Sequence, residues 1–357
     1  MTYRLTSQTG APLPEPTALP LKLLGVPGSP YSRKLRSVLR FRRIPHLWIL
    51  RGSKDEGRVP EIPVRLMPVL VFPGPEGRYD TAAVDSTPLI RRLEREHEGR
   101  SVIPPDPVLG FLDALLEDYA DEWLTKCMFH YRWAFGADVE FAARTLPHTG
   151  AVDKSDAEIA ARGKLISEHQ IGRLHVVGSN PTTAPVIEAS YRRLLQLLDA
   201  RLTESSFVFG QRPAASDFGL FGQLTQLVQF DPTPMAIARA ETPRIVAWLE
   251  QVEDLSGLGA GEADWIACSP FPETLRALFY EVGRVYAPVL LANARVLETK
   301  AARVECEIDG KPWVQQPFPY QGKCLAALRA VYAQLAPGDR RAVDERLAGT
   351  GCEILFE

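Results

Sequence analysis

The chain reads as an α/β domain followed by an all-helical domain and then a smaller α+β segment carrying a hairpin. Three observations predict this. Between residues 20 and 100, short apolar runs alternate with amphipathic helical stretches, the pattern of an α/β unit. From residue 108, apolar side chains recur at three- and four-residue spacing through Phe111, Leu112, Leu115, Leu116, Tyr119, Trp123, Leu124 and Cys127, which is helical periodicity. Further on, Asp309-Gly310 separates the alternating run 302–308 from Trp313-Val314, and Asp-Gly between such runs is a strong hairpin signal.

Taken in order, residues 1–19 are a tail punctuated by Pro12, Pro14 and Pro16. Leu21–Val26 is an apolar run that predicts a strand. Gly28-Ser29-Pro30-Tyr31-Ser32 follows, and Ser before Pro is a helix start: a side-chain cap, then a residue with φ preset. The helix spans about 30–43 with Leu35, Val38 and Leu39 on one face. Strands are expected at about 46–50, 68–72 and 77–80, with Pro68 at a strand start, where a missing N–H is tolerated. Asp85-Ser86 opens a helix over about 85–97, closing an α/β domain at 20–100. The Pro-rich stretch 101–107 is a linker. The helical domain occupies 108–258, with further helices near 134–146, 184–203, 213–229 and 243–255 and no readable period over 147–182. The extension, 259–357, predicts a long helix from Ser269-Pro270 to about Thr299, interrupted at Pro288. The hairpin, a helix over about 321–335, a second short helix and the apolar run Ile354-Leu355-Phe356 follow.

The 357 residues have a net charge of −3, unevenly spread: 17 Lys/Arg face 10 Asp/Glu up to Pro105, and 24 face 34 beyond it. The basic first part suits an anionic ligand, although Arg36, Arg40, Arg42 and Arg43 equally make the solvated face of one helix. The acidic whole and the lack of aromatics among the basic residues argue against nucleic acid as a partner. No apolar run reaches the ~18 residues of a membrane span. Five scattered cysteines form no Cys-x-x-Cys and no framework, which suggests reduced thiols in a cytoplasm. The histidines show no ligand spacing, so no metal site is expected.

The helix start at Ser29-Pro30 follows a strand, and an exposed helix N-terminus can hold an anion or a thiolate. Redox members of the thioredoxin superfamily place Cys-x-x-Cys here; Ser29 and Ser32 cannot form a disulfide. The order of strand, Ser29-Pro30 helix start, Met67-Pro68-Val69-Leu70 strand and Asp85-Ser86 helix start resembles the N-terminal domain of a glutathione S-transferase, most similar to the serine-type classes. The resemblance implies a thioredoxin-like domain and an all-α domain of the transferase type, over about residues 20–255. It implies that Ser29 activates the glutathione sulfur and that Pro68 is cis. It also implies that the Met67 backbone pairs with the cysteinyl part, and that Asp85 and Ser86 hold the γ-glutamyl end. Each residue also has a purely local reading. Ser29 caps a helix, with Ser32 competing as the active hydroxyl. Met67-Pro68 is ordinary strand entry, and Asp85-Ser86 is an ordinary helix N-terminus.

Gly210-Gln211-Arg212-Pro213-Ala214-Ala215-Ser216-Asp217 resembles the start of the family's buried central helix, with Asp217 in the matching place. Ala214 stands where the family has a capping Ser or Thr, a loss worth ~1 kcal/mol. Leu66 stands where serine-type relatives have a Lys, leaving Arg51 or Lys54 as alternative cations. The family's first helix of the second domain lines the pocket for the electrophile. Here it would carry Tyr119, Trp123, His130, Tyr131 and Trp133, all equally suited to the core. The function so implied is attack of the thiolate of glutathione, the co-substrate, on a small-molecule electrophile or peroxide, by a cytoplasmic homodimer. Alternatives are a non-catalytic glutathione-binding scaffold and a glutathione-dependent isomerase or lyase. The extension is expected to pack on the helical domain as a brace or a lid, with Trp313, Phe318 and Tyr320 at the pocket rim, because a two-stranded hairpin is marginal alone.

Overall fold

The computed structural model describes residues 19–357 except 58, 63 and 65; the expected tail therefore lies outside the described residues, apart from Leu19. β1 (Leu21–Gly25), α1 (Pro30–Phe41) and β2 (His46–Leu50) form a parallel crossover. β3 (Val69–Pro73) and β4 (Tyr79–Val84) add an antiparallel pair, and the sheet order is β2-β1-β3-β4. α2 (Ser86–Glu96) completes the layer. β4 runs later than the sequence suggests, since the turn at Gly77 precedes it. α1 buries Leu35, Val38, Leu39 and Phe41. On the opposite face of the sheet Leu24, Ile49, Val69 and Val71 pack under Val59 and Ile62 of the irregular segment between β2 and β3.

The helical part comprises α3 (Pro107–Glu122), α4 (Leu124–Ala134), α5 (Gly136–Thr145), α6 (Asp156–Ile171), α7 (Ala184–Glu204), α8 (Ala215–Gln229), α9 (Pro232–Glu241) and α10 (Pro243–Val252). The one helix expected to carry Tyr119 through Trp133 is two, broken at Trp123. α6 fills part of the stretch without readable periodicity. Ser155 and Glu158 cap it reciprocally, and only Ile159 and Gly163 of its residues are buried. α8 is buried along nearly its whole length. Asp217 accepts from Ala214 N and Val208 N at 2.9 Å each, so the carboxylate half of the cap is present although Ala214 supplies no oxygen. Gly222 lets α8 meet α1: a Cβ there would come within 2.6 Å of the Pro30 carbonyl.

In the extension α11 (Glu273–Glu281) and α12 (Ala287–Thr299) are joined by a π-helical turn at Val282–Tyr286. The helix is thus widened just before Pro288 instead of interrupted at it, since a proline in a first turn lacks only an N–H that would be unpaired there. β5 (Val304–Ile308) and β6 (Lys311–Gln315) form the hairpin, with Asp309 and Gly310 both at positive φ as its turn requires. α13 (Pro319–Gln334) and α14 (Pro337–Leu347) follow and lie against α3. One continuous core joins α1, α3, α8 and the extension; it includes Leu39, Leu115, Leu224, Leu278, Trp313, Leu328 and Leu355. On α13, Leu325 and Leu328 are buried while Val331 is 43% exposed.

Candidate functional site

Strand register gathers the expected residues at one end of the sheet. Leu24 of β1 pairs with Val69, and Val69 pairs with Val84 of β4. The loop to Ser29, the Met67-Pro68 step and Asp85 all leave the sheet from those three neighbouring positions. The Met67-Pro68 bond is cis; Pro68 is buried and Met67 exposed.

Ser29 is the N-cap of α1 and half-buried; its Oγ accepts the Ser32 amide at 3.3 Å. Ser32 is fully buried and its Oγ accepts Val26 N at 3.4 Å. The two hydroxyls are thus separated: Ser29 faces the helix end, Ser32 the loop behind it. The helical part holds this loop by its carbonyls. Arg132 Nη1 donates to Gly28 O at 3.0 Å and Gln226 Nε2 to Pro27 O at 3.0 Å. Arg132 is buried and pairs with Asp231 at 2.8 Å. Neither residue stood out in the sequence, because only the fold brings them to the loop.

Asp85 occupies the N-cap position of α2 at φ 78° and makes no side-chain bond to the helix amides. Its Oδ2 instead accepts the Tyr320 hydroxyl of α13 at 2.7 Å. Burial, then the Asp85 carboxylate itself, raises the Tyr320 phenol above its ordinary value. Ser86 is buried. Behind them, the fully buried Lys34 ammonium bonds Thr87 Oγ1 at 3.0 Å, Glu117 at 2.7 Å and Asp121 at 2.5 Å. Arg91 meets Glu117 at 2.6 Å. Burial pushes the Glu117 carboxyl up, but Lys34 and Arg91 outweigh it and hold Glu117 at about 2. Tyr31 OH donates to Asp121 O at 2.9 Å, linking this network back to α1.

Several expectations are corrected. Of the four arginines expected on one solvated face, only Arg43 is exposed. Arg33, Arg36 and Arg40 all pair with Glu253 just past α10, and Arg42 pairs with Glu94 at 3.1 Å. Tyr119, Trp123, His130, Tyr131 and Trp133 are all core, between 0% and 4% exposed. His130 Nδ1 meets Ser179 Oγ at 2.8 Å, and burial lowers its pKa. Trp313 is fully buried against Trp123, with ring centroids 5.2 Å apart, so it is no rim residue. Of the alternative cations, Arg51 pairs with Glu56 at 3.1 Å. Surface clefts of about 400 and 510 Å³ are lined by α7 with α11 and by α7 with α10; Ser29, Pro68 and Asp85 line neither. Among the described residues no group of three or more His, Cys, Asp or Glu is placed to hold a metal, and no helix is long and apolar enough to cross a membrane.

Solved structures similar to the chain include a glutathione S-transferase from Methylobacterium radiotolerans in complex with glutathione sulfonate. It is 19% identical, covering 66% of this chain and 91% of that one at a TM-score of 0.39. A Tau-class enzyme from mango, Mangifera indica, is 16% identical over 68% and 94% at 0.39. A glutathione transferase from Burkholderia graminis is 18% identical over 72% and 87% at 0.35. These likenesses are too distant to carry the assignment. No curated protein matches the chain. Residues 23–101 match the family model for the glutathione S-transferase N-terminal domain, the segment that holds Ser29, Pro68 and Asp85 in one sheet-end array. The family likeness is shown for this segment, about a fifth of the chain.

Proposed function

We propose that the chain binds glutathione along residues 23–101 and uses its thiolate as a nucleophile toward a small electrophile. The observation that carries this reading is Ser29. Its hydroxyl is half-buried at the α1 N-terminus and accepts one backbone amide. A hydroxyl that accepts one bond still has its proton to donate, so Ser29 can cap the helix and bond a thiolate at once. The helix N-terminus adds its favourable field. Lowering a thiol pKa by ~2 units corresponds to ~2.7 kcal/mol of preference for the charged form. In this reading Met67 supplies backbone pairing to the cysteinyl part beside Pro68, and Asp85 with Ser86 takes the γ-glutamyl end. The sulfur forms a bond to the electrophilic carbon, and the leaving group departs with its bonding pair. The protein contributes activation and proximity, not a covalent intermediate.

A second reading, a glutathione-binding protein without turnover, is favoured by Leu146. Its Cδ2 lies 2.5 Å from where a Cβ on Gly28 would be, so the end of α5 closes over the loop next to Ser29. Calorimetric titration with glutathione, followed by mass analysis of products with model electrophiles, separates the readings. Conjugates with loss of glutathione mark a transferase; binding alone marks a scaffold; conversion without consumption marks an isomerase or lyase. No heat at all removes the proposal. A homodimer in the cytoplasm accords with the family and with free cysteines at 127, 268, 306, 324 and 352. Its contact surface must avoid the flank of α3 already covered by α13 and α14.

A further inference from the structure

Three observations set Asp85 apart from an ordinary helix cap. It stands at the N-cap position of α2 yet bonds no helix amide. Its φ of 78° is a region that a residue with a side chain adopts at a cost, and such outliers persist where surrounding structure enforces them. Its carboxylate is instead held from outside the α/β domain, by Tyr320 Oη on Oδ2 at 2.7 Å, across 235 residues of sequence.

The Tyr320 hydroxyl is delivered by a built frame. Asn293, fully buried in α12, takes Phe318 N through Oδ1 at 2.8 Å and gives Nδ2 to Phe318 O at 2.9 Å. On the other side of Tyr320, the buried Gln321 donates Nε2 to Glu122 O at 3.3 Å. The residues flanking Tyr320 are therefore tied to α12 and to α3, while Tyr320 itself stays 37% exposed. A carboxylate accepts at both oxygens. With Oδ2 engaged by a neutral donor, Oδ1 is left for a charged one, and Asp85 is only half-buried.

We infer that Tyr320 is a positioning residue of the γ-glutamyl subsite: it holds Asp85 through Oδ2 so that Oδ1 meets the α-ammonium of glutathione. The inference rests on the glutathione reading and deepens it. It makes the extension part of the ligand site and not only a brace. Selectivity for an amine-bearing γ-glutamyl group then depends on residues outside the α/β domain, and glutathione that has lost its α-amino group gains nothing from Tyr320.

The test compares two ligands on two full-length proteins. Wild type and Tyr320→Phe are titrated calorimetrically with glutathione and with glutaryl-Cys-Gly, which lacks only the α-amino group. Phe keeps the ring and removes the hydroxyl, and equal melting temperatures verify the fold. Glutathione is expected to bind Tyr320→Phe about five- to tenfold more weakly, less than for the loss of a direct bond to a charged group because Tyr320 acts through Asp85, with glutaryl-Cys-Gly changed less than twofold. Equal weakening of both ligands makes Tyr320 merely structural and overturns the inference. Tighter glutathione binding by Tyr320→Phe makes Tyr320 a competitor for the seat and also overturns it. A wild type that binds both ligands equally removes the Asp85–ammonium contact and the inference, but leaves the glutathione reading intact. A wild type that binds neither overturns both.

Discussion

Ser29 Oγ accepts the amide of Ser32, while Ser32 Oγ turns inward to the amide of Val26. Two hydroxyls three residues apart thus do different work. Ser29→Ala is expected to raise the thiol pKa of bound glutathione, read from thiolate absorbance against pH. Ser32→Ala is expected to lower the melting temperature, since it removes the acceptor of the half-buried Val26 amide, and to leave that pKa in place. The opposite pattern would transfer the sulfur contact to Ser32.

Asp85→Ala is expected to weaken glutathione binding by ~1.5–3 kcal/mol, the range for hydrogen bonds to charged groups. Calorimetric affinity equal to wild type would remove Asp85 from the site.

Glu253 gathers Arg33, Arg36 and Arg40 from α1, with Arg40 also bonding its carbonyl at 2.9 Å. Three cations left around a neutral amide repel one another. Glu253→Gln is expected to cost ~1–3 kcal/mol in urea unfolding, and more at low salt than at high salt. A midpoint that does not move would show the cluster to be incidental.

Trp313→Ala is expected to cost ~3–5 kcal/mol, as for other buried tryptophans. Trp313 fills the space between Trp123 and Lys126, and its Nε1 donates to Gln315 Oε1 at 3.2 Å. Truncation near Gly261 is expected to give an aggregating or molten product. A truncated chain with sharp cooperative unfolding would refute the shared core.

Asp118 gives a pH dependence. Burial pushes its carboxyl up to about 7, although the Tyr286 hydroxyl at 2.6 Å works the other way. The folded chain keeps this proton where the unfolded chain has released it, at an ordinary value of 3.8. The stability from this group is therefore complete below about pH 4 and is lost as pH rises through about 7. Asp118→Asn removes that loss. The wild-type melting temperature should fall relative to the variant between pH 5 and 8; parallel curves would show Asp118 to ionise freely.

Elements whose shape follows from their own burial were legible in the sequence. α1, β1, β2, β3, α7, α8 and the β5–β6 hairpin carry apolar periods or turn residues that dictate them. α6 was not, because only Ile159 and Gly163 are buried and no apolar stripe results. Its one written signal was the Ser155–Glu158 cap. The break at Trp123 carried no Pro or Gly, and its indole N–H finds Ser190 Oγ at 2.8 Å, a partner only the fold supplies. At the site, Ser29, Pro68 and Asp85 were readable from local chemistry and their order. Lys34, Arg132 and the Tyr320–Asp85 contact were not, because each depends on residues brought together from distant parts of the chain.

Phe111, near the start of α3, packs edge-on against Phe356 at 5.2 Å between ring centroids. A ribosome makes α3 long before it makes residue 356. While the more than 200 residues between them are made, the α3 flank that will receive α13, α14 and Phe356 therefore stays bare. Domains that close on themselves can fold as they emerge, but this helical part waits until residue 356 has been made. Its yield in a cell is then set by how well that uncovered flank is shielded during translation, and it should respond to chaperone supply more than the α/β domain does.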